Sequence, residues 1–247
     1  MSDNGWVTAI RCDVESFGTR LLVRVTGDLS VSSAPQVRMA LMKCLVEQPD
    51  AVVLDLAGMG VSESAAAAVF QAVSRQAAVW PGTPLLLAAP LPALSRLLGG
   101  GGHGRMAVFD SVEAAMSAPP GPRLPAVSDM MLPVSGAPRR ARDVVAGACG
   151  RWSLEHLTGR AGLIADELVT NAVVHARTML SLRLTLSGRH LLLAVRDGSA
   201  EVPRLPCPAS TDPDAPRGLL LVDAMSARWG SHPTRDGKVV WATLPRS

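Results

Sequence analysis

The chain has few aromatic residues, with no tyrosine, three phenylalanines and five tryptophans among its 247 residues. Lysine is also scarce, because Lys43 and Lys238 are the only two, so the net charge of +3 rests almost entirely on arginine. Surfaces that bind nucleic acids usually combine a dense basic patch with aromatic rings on which bases stack. Beyond a short cluster at Arg139, Arg140 and Arg142, which we interpret as a solvated helix face, the sequence has neither. We therefore expect no direct binding of nucleic acid.

The sequence also lacks paired cysteines and long hydrophobic runs. Its four cysteines are scattered with no C-x-x-C pair, which argues against a zinc site and a disulfide framework and fits a reducing compartment. No apolar run reaches the ~18–20 residues that cross a bilayer, and the first residues lack the pattern of a secretory signal. We expect a cytoplasmic protein without a membrane partner. Hydrophobic residues make up 48% of the chain, enough for one sizeable core or two.

Apolar segments of strand and helix length alternate along residues 6–118. The run from Ala51 to Leu56 is continuously apolar except for Asp55, as in a strand buried on both faces of a parallel sheet. Repeated β-α units of this length predict an α/β layer with a mostly parallel sheet. A turn is predicted from Gly27 to Ser30. The predicted strands are 6–14, 21–25, 51–56, 84–89 and 106–109, and the predicted helices are 33–45, 64–79, 91–98 and 111–116.

A proline-rich stretch divides the chain. Residues 119–129 contain four prolines and no apolar periodicity, which favours an extended linker without a core of its own. The sequence therefore predicts two domains, 1–118 and 130–247, joined by a linker at 119–129. In the second domain we predict strands at 130–134, 180–186, 190–195, 227–229 and 238–244, with helices at 137–152, up to about 176, and from 217.

Polar residues recur every fourth position in an apolar stretch of the second domain. Glu167, Asn171 and His175 stand among Leu, Val and Ala, so on a helix they line one edge at the border of the core. Asp197 ends a predicted strand further along the chain. A proline-rich loop of about eighteen residues follows at 199–216, and loops of that length inside a domain are usually functional lids or disordered.

The first domain resembles the STAS-type anti-sigma factor antagonists. The resemblance rests on "VVLDLAGMGVSESAAAAVFQAV", preceded by "VRVTGDLSVSSAPQVRMAL" and followed by "FDSVEAAMSA". In that family the turn after the third strand reads Asp-Ser-Ser/Thr-Gly and accepts phosphate from a partner kinase. Here Glu63-Ser64-Ala65-Ala66 replaces it, so the second hydroxyl and the glycine are missing. Ser64 is interpreted either as an ordinary first-turn or N-cap residue or as the phosphate acceptor.

The second domain resembles the GHKL (Bergerat) ATPases, and among them the anti-sigma factor serine kinases. Three motifs occur in the family's order: Glu167-x-x-x-Asn171-x-x-x-His175, then Asp197-x-Ser199 at a strand end, then Arg217-Gly218-Leu219 opening a helix. The glycines differ from the family pattern, because Asp197-Gly198-Ser199-Ala200-Glu201 replaces Asp-x-Gly-x-Gly and Ala215-Pro216 precedes the third motif. The resemblance implies a two-domain α/β protein with a STAS-like sheet followed by a GHKL α/β sandwich.

The resemblance also implies a role for each motif residue, with ATP and Mg²⁺ as cofactors. Asn171 would supply an oxygen to the Mg²⁺ that bridges the ATP phosphates, and Glu167 would act as general base on the incoming serine hydroxyl. Asp197, with Gly198 in the turn after it, would hold the adenine amino group. We expect His175 to satisfy the end of its helix rather than to contact a ligand.

The third motif would hold the phosphates. Backbone amides near Gly218 and Leu219 would face them at the start of the helix, and Arg217 would add positive charge beside the transferred group.

These resemblances predict an ATP-dependent protein serine kinase of the anti-sigma type that regulates transcription by partner switching. They imply a STAS antagonist protein as partner, leave a sigma factor open as a second one, and suggest a homodimer. Three other interpretations stay open. The protein is a non-catalytic module in which ATP sets the choice of partner, or it binds no nucleotide and has a structural role, or it phosphorylates its own Ser64.

Overall fold

The computed structural model describes residues 9–99, 106–119, 124–203 and 218–247. The chain divides into two compact units, Met1–Arg123 and Leu124–Ser247. Among the described residues, no helix has both the length and the apolar character needed to span a bilayer.

The first unit is an α/β layer around a mixed sheet. Its strands are β1 (Arg11–Phe17), β2 (Arg20–Leu29), β3 (Ala51–Asp55), β4 (Met59–Val61), β5 (Leu85–Ala88) and β6 (Ala107–Phe109). Its helices are α1 (Ala34–Val46), α2 (Ala68–Val79), α3 (Pro92–Gly99) and α4 (Val112–Ser117). The strands lie in the order β1-β2-β3-β5-β6, and β4 pairs with the end of β2. All these pairs are parallel except β1 with β2, which confirms the prediction of a mostly parallel sheet.

Both faces of this sheet are covered, which explains the continuous apolar run of β3. Val52 and Leu54 point into a large core that also contains Leu41 of α1 and Phe70 of α2. Val53 points to the opposite face, into a smaller cluster formed with α4. Because successive strand residues alternate between faces, a strand with a helix layer on each side must be apolar throughout.

The turn predicted at Gly27 is wrong, and one strand of the first unit was not predicted. Gly27 does not begin a turn, because β2 continues to Leu29 and its last three residues pair with β4. The strand β4 was not predicted, since Met59–Val61 gains its hydrogen bonds from a partner about thirty residues away. The predicted start of the first strand, Trp6, lies outside the described residues, and among those described the strand β1 begins at Arg11.

The second unit is an antiparallel sheet covered by helices. Its strands are β7 (Ala126–Met131), β8 (Leu180–Leu186), β9 (His190–Asp197), β10 (Arg228–Pro233) and β11 (Lys238–Pro245), in the order β10-β11-β9-β8-β7. Its helices are α5 (Ala137–Arg151), α6 (Thr158–Asn171) and α7 (Gly218–Met225). Alternate residues of β8 and β9 pack with residues of all three helices, among them Val145, Ile164 and Val222, to form the core. The site described below lies where α6 ends, β9 ends and α7 begins.

The start of the second unit corrects the predicted linker. Residues 126–129 belong to β7, which pairs antiparallel with β8 over the register from Ala126↔Thr185 to Met131↔Leu180. The strand predicted at 130–134 therefore begins four residues earlier, at Ala126, and ends at Met131. Leu132 and Val134 lie exposed beyond its end. Pairing with β8 decides this register, and the local pattern of apolar residues does not.

Candidate functional site

The helix α6 ends earlier than predicted. Its α-helical hydrogen bonding stops at Asn171, and Ala172–Ala176 forms a single π-helical turn. Arg177 then adopts a left-handed conformation with φ 54°, and its N–H donates to the carbonyl of Ala172 at 3.1 Å. A π turn widens the helix and rotates the residues after it, and such turns are frequent at functional sites. His175 is therefore not one α-helical turn above Asn171, as the four-residue spacing had predicted.

A cavity of about 420 Å³ opens at this helix end. Its size lies in the range of small-molecule sites. Its wall brings together residues from α6, the π turn, β9, the segment after β9, α7 and β11, namely Leu168, Asn171, Ala172, His175, Asp197, Glu201, Val202, Pro203, Leu219, Lys238 and Val240. Of the residues predicted for a nucleotide site, Asn171, Asp197 and Leu219 thus share one cavity. Glu167, Gly198 and Gly218 lie near it without lining it.

Asp197 is the buried polar end of β9. Its Oδ1 accepts a hydrogen bond from the backbone N–H of Ser199 at 2.8 Å and another from Nζ of Lys238 at 3.0 Å. Both partners of this ion pair are buried, with 4% of Asp197 and 8% of Lys238 exposed. Nζ of Lys238 also donates to the carbonyl of Ser199 at 3.3 Å. Lys238 therefore stabilises the turn after β9 through two hydrogen bonds, one to the side chain of Asp197 and one to the backbone of Ser199.

Lys238 was not among the residues predicted for the site. It is one of only two lysines in the chain, and it opens a strand, KVVWATLP, whose only other polar residue is Thr243. That isolated cation at a strand start was a signal in the sequence. Its partner was not visible there, because the register between β9 and β11 places Lys238 opposite Asp197 across 41 residues.

Asn171 presents a polar group without a partner. Its Nδ2 atom is buried and has no hydrogen-bond partner among the described residues. A buried polar group left unpaired costs about 1–3 kcal/mol. Such a group in a cavity wall is typical of a side chain whose partner is a ligand.

Glu167 lies one turn earlier on α6 and faces the start of α7. A Cβ atom built on Gly218 would overlap Oε2 of Glu167, so the backbone of Gly218 passes directly over the carboxylate. Burial raises the pKa of Glu167, and the negative charge of Asp166 raises it further. A raised pKa means that the folded protein binds this proton more tightly than the unfolded chain. This group therefore lowers stability as the pH rises through the window between the usual glutamate pKa and the folded one.

Replacing Gly218 with alanine tests this close approach. The added methyl group must displace the Glu167 carboxylate or the start of α7, and overpacking of this kind costs about 1–3 kcal/mol. We expect a lower midpoint of thermal unfolding for Gly218→Ala. Gly147 is the matched control, since it lies in α5 with open space around its Cβ position. Alanine there should raise stability slightly, and equal effects at both glycines would contradict the proposed contact.

The other predicted residues are placed as follows. The N–H of Gly198 donates to Oγ1 of Thr178 at 2.8 Å, so it is already engaged within the protein. His175 lies in the last turn, is exposed and lines the cavity, and it makes no capping hydrogen bond among the described residues. The N–H of Arg177 donates to the carbonyl of Ala172 at this helix end. Arg217 and most of the predicted lid, from residue 204 onward, lie outside the described residues.

Ser64 lies in the first unit. It is the first residue of a 3₁₀ turn, Ser64–Ala67, that leads into α2, and Glu63 is the N-cap. Ser64 is exposed. The structure therefore supports the first-turn interpretation over the N-cap one. A shallow, largely apolar groove of about 440 Å³ lies next to it, between α1 and α2, with Arg38 as its charged residue.

Comparison with known proteins identifies the first unit. Residues 11–115 match the STAS domain family, so this part of the chain is a STAS domain. No curated protein matches the sequence.

Three solved structures are similar to parts of the chain. An anti-sigma factor antagonist from Mycobacterium paratuberculosis is 21% identical, with 44% of this chain and 92% of that one covered and a TM-score of 0.39. The anti-sigma factor antagonist SpoIIAA in its unphosphorylated form is 15% identical, with 43% and 93% covered and a TM-score of 0.37. A glutamate variant of RsbS from Moorella thermoacetica is 20% identical, with 43% and 92% covered and a TM-score of 0.36.

Proposed function

We propose that the second unit binds ATP with Mg²⁺ and is a protein serine kinase of the anti-sigma factor type, with a GHKL-like fold. The observation that carries this proposal is the cavity at the end of α6, where Asn171, Asp197 and Leu219 meet from three distant parts of the chain. All three were predicted as nucleotide contacts from separate motifs. Their meeting in one cavity of suitable size supports a common ligand.

The residues fit the implied cofactors. Asn171 lines the cavity, and its buried Nδ2 has no hydrogen-bond partner among the described residues. Its carboxamide oxygen is the atom that would bind Mg²⁺. Among the described residues no group of three or more His, Cys, Asp or Glu could hold a metal. A single amide ligand suits Mg²⁺, which keeps most of its ligands as water and phosphate oxygens. When bound, the ion would neutralise the negative charge of the phosphates during transfer.

Glu167 would serve as the base of the transfer. In our proposal its carboxylate would take the proton from the serine hydroxyl of the protein substrate as that oxygen attacks the terminal phosphorus of ATP, the bond from this phosphorus to the bridging oxygen breaks, and ADP leaves. A base whose pKa lies above the usual glutamate value holds the proton better once it has been transferred. The contact with Gly218 fixes the carboxylate beside the start of α7, where backbone amides would meet the phosphates.

The STAS domain supports a role in partner switching, where binding and phosphorylation decide which regulatory proteins associate. We propose an anti-sigma factor antagonist with an intact Ser-Ser turn as the substrate. A sigma factor as second partner, a homodimer and a cytoplasmic location stay predictions.

A phosphotransfer assay tests the kinase proposal. We expect labelled phosphate to pass from ATP to a separate antagonist domain, and Glu167→Gln to reduce the rate by about 100-fold or more while leaving MgATP binding intact. Asp166→Asn is the matched control, because it removes the neighbouring carboxylate, which is paired with Arg142. It should retain transfer. No transfer by the wild type, or equal rates in the wild type and Glu167→Gln, would reject the kinase proposal.

We also expect Asp166→Asn to shift the pH dependence of the phosphotransfer rate. Glu167 must be ionised to accept a proton, so its raised pKa places the acid limb of the rate profile above that of an ordinary glutamate. Asp166→Asn removes one of the two causes of the raised pKa, and we expect its acid limb to move to lower pH. An unchanged limb would argue against Glu167 as the base.

A specific observation favours a second function, that of a nucleotide-binding module without catalysis. The N–H of Gly198 is bound to Thr178 and Oδ1 of Asp197 to Lys238, so the turn after β9 is locked by contacts within the protein. Such a module would bind MgATP, lose binding in an Asn171 variant, and transfer no phosphate to any antagonist domain. Absence of a thermal shift with MgATP would reject both functions in favour of a structural role.

A further inference from the structure

We infer that Lys238 is a specificity-determining residue of the cavity, which recognises the adenine base together with Asp197. The carboxylate accepts from the exocyclic amino group, and the ammonium donates to the ring nitrogen next to it. This inference rests on the proposed ATP binding and adds to it a second contact, made by a residue that the sequence motifs do not include.

One N–H donor of the Lys238 ammonium is not used within the described part of the protein. A lysine ammonium has three N–H groups. One donates to Oδ1 of Asp197 at 3.0 Å and one to the carbonyl of Ser199 at 3.3 Å. The third has no partner among the described residues, and Lys238 lines the cavity. The cavity wall thus offers a directed N–H donor to a ligand.

The backbone fixes this donor in place. Lys238 lies directly opposite Asp197 on neighbouring antiparallel strands, so both side chains leave the sheet on the same face. Gly237 packs so closely on the turn after β9 that a Cβ atom there would overlap the carbonyl oxygen of Asp197. The start of β11 therefore has little freedom to move, and the two groups form a pair of fixed geometry.

The chemistry of the pair matches one edge of adenine. A carboxylate alone supplies only acceptors, whereas the amino group of adenine is flanked on each side by a ring nitrogen that accepts. A donor beside an acceptor satisfies both partners at once, and the apolar residues Leu168, Ala172 and Val240 line the same cavity. Sites that hydrogen-bond a ligand group discriminate strongly against an analogue that lacks it, because their own polar groups are then left unpaired.

Binding of deaza analogues to the wild-type protein tests the inference. Calorimetry would compare MgATP with the magnesium complexes of 7-deaza-ATP and 1-deaza-ATP, which each replace one flanking ring nitrogen with a carbon. We expect one analogue to bind ~10-fold more weakly than ATP. In Lys238→Met the same analogue should bind as well as ATP does. Lys43→Met is the matched control, since it changes the only other lysine, exposed on α1, and should leave the wild-type difference unchanged.

The outcomes separate the two claims. Equal binding of ATP and both analogues to the wild type would overturn the role of Lys238 and leave ATP binding standing. No binding of any of the three would overturn both. A difference between ATP and an analogue that persists in Lys238→Met would assign the contact to another residue. Should Lys238→Met fail to fold, equal binding of ATP and both analogues to the wild type would still overturn the inference.

Discussion

Replacing Asp197 with alanine is expected to lower the free energy of unfolding of the second unit by about 3–5 kcal/mol and to abolish MgATP binding. The large effect follows from burial. Asp197 and Lys238 form an ion pair whose side chains are 2% and 9% exposed. Removing the carboxylate leaves an ammonium in the protein interior without its counter-charge, and it also frees the N–H of Ser199. The energy lost is mostly the penalty of the stranded charge.

Native-state hydrogen exchange of the β9 and β11 amides would measure this change within the second unit, apart from the STAS domain. Asp236→Ala is the matched control, because Asp236 forms an ion pair with Arg196 at 2.6 Å that lies on the surface, with 72% of the Asp236 side chain exposed. Surface pairs contribute little, so we expect near wild-type exchange and unchanged MgATP binding. A similar loss of protection from exchange in both variants would show that the buried ion pair contributes no more to stability than the surface pair does.

Replacing Asn171 with leucine is expected to separate stability from binding. Leucine has the branched shape of asparagine but is larger, the adjoining cavity leaves space for the added volume, and the neighbours in the wall, Leu168 and Ala172, are apolar. The substitution removes a buried amide nitrogen that has no partner, so we expect the free energy of unfolding to stay level or to rise. It also removes the proposed ligand of Mg²⁺, so MgATP affinity should fall by about 100-fold or more, roughly 3 kcal/mol.

Thermal unfolding measured with and without MgATP reports both the stability of the variant and its binding of MgATP. Ligand at a thousand times its dissociation constant stabilises a protein by about 4 kcal/mol, and this shift should be nearly absent in Asn171→Leu. Thr170→Val is the control, since Thr170 is the adjacent residue of α6 and does not line the cavity. It should keep the wild-type shift. A full shift in Asn171→Leu would show that Asn171 does not hold the nucleotide or its metal ion.

Much of the fold followed from local patterns in the sequence. The continuous apolar run from Ala51 to Leu56 predicted β3 of the STAS domain, and the predicted strand 84–89 and helix 33–45 correspond to β5 and α1. Such patterns are visible because burial of one face leaves a period of two or 3.6 residues in a short stretch of chain. Local patterns did not predict β4 or the start of β7. These strands are defined by hydrogen bonds to partners that are distant in the sequence.

The features of the candidate site likewise fall into those that local sequence predicted and those that depend on distant contacts. The sequence by itself determined that Glu167 and Asn171 lie on one helix, that Asp197 ends a strand, and that a helix begins beside Gly218. Only the tertiary structure decided the π turn that rotates His175, the packing of Gly218 against Glu167, and the burial of Lys238 against Asp197. The first set depends on residues a few positions apart. The second depends on strand register and packing between segments that are 41 to 51 residues apart in the chain, which no local spacing records.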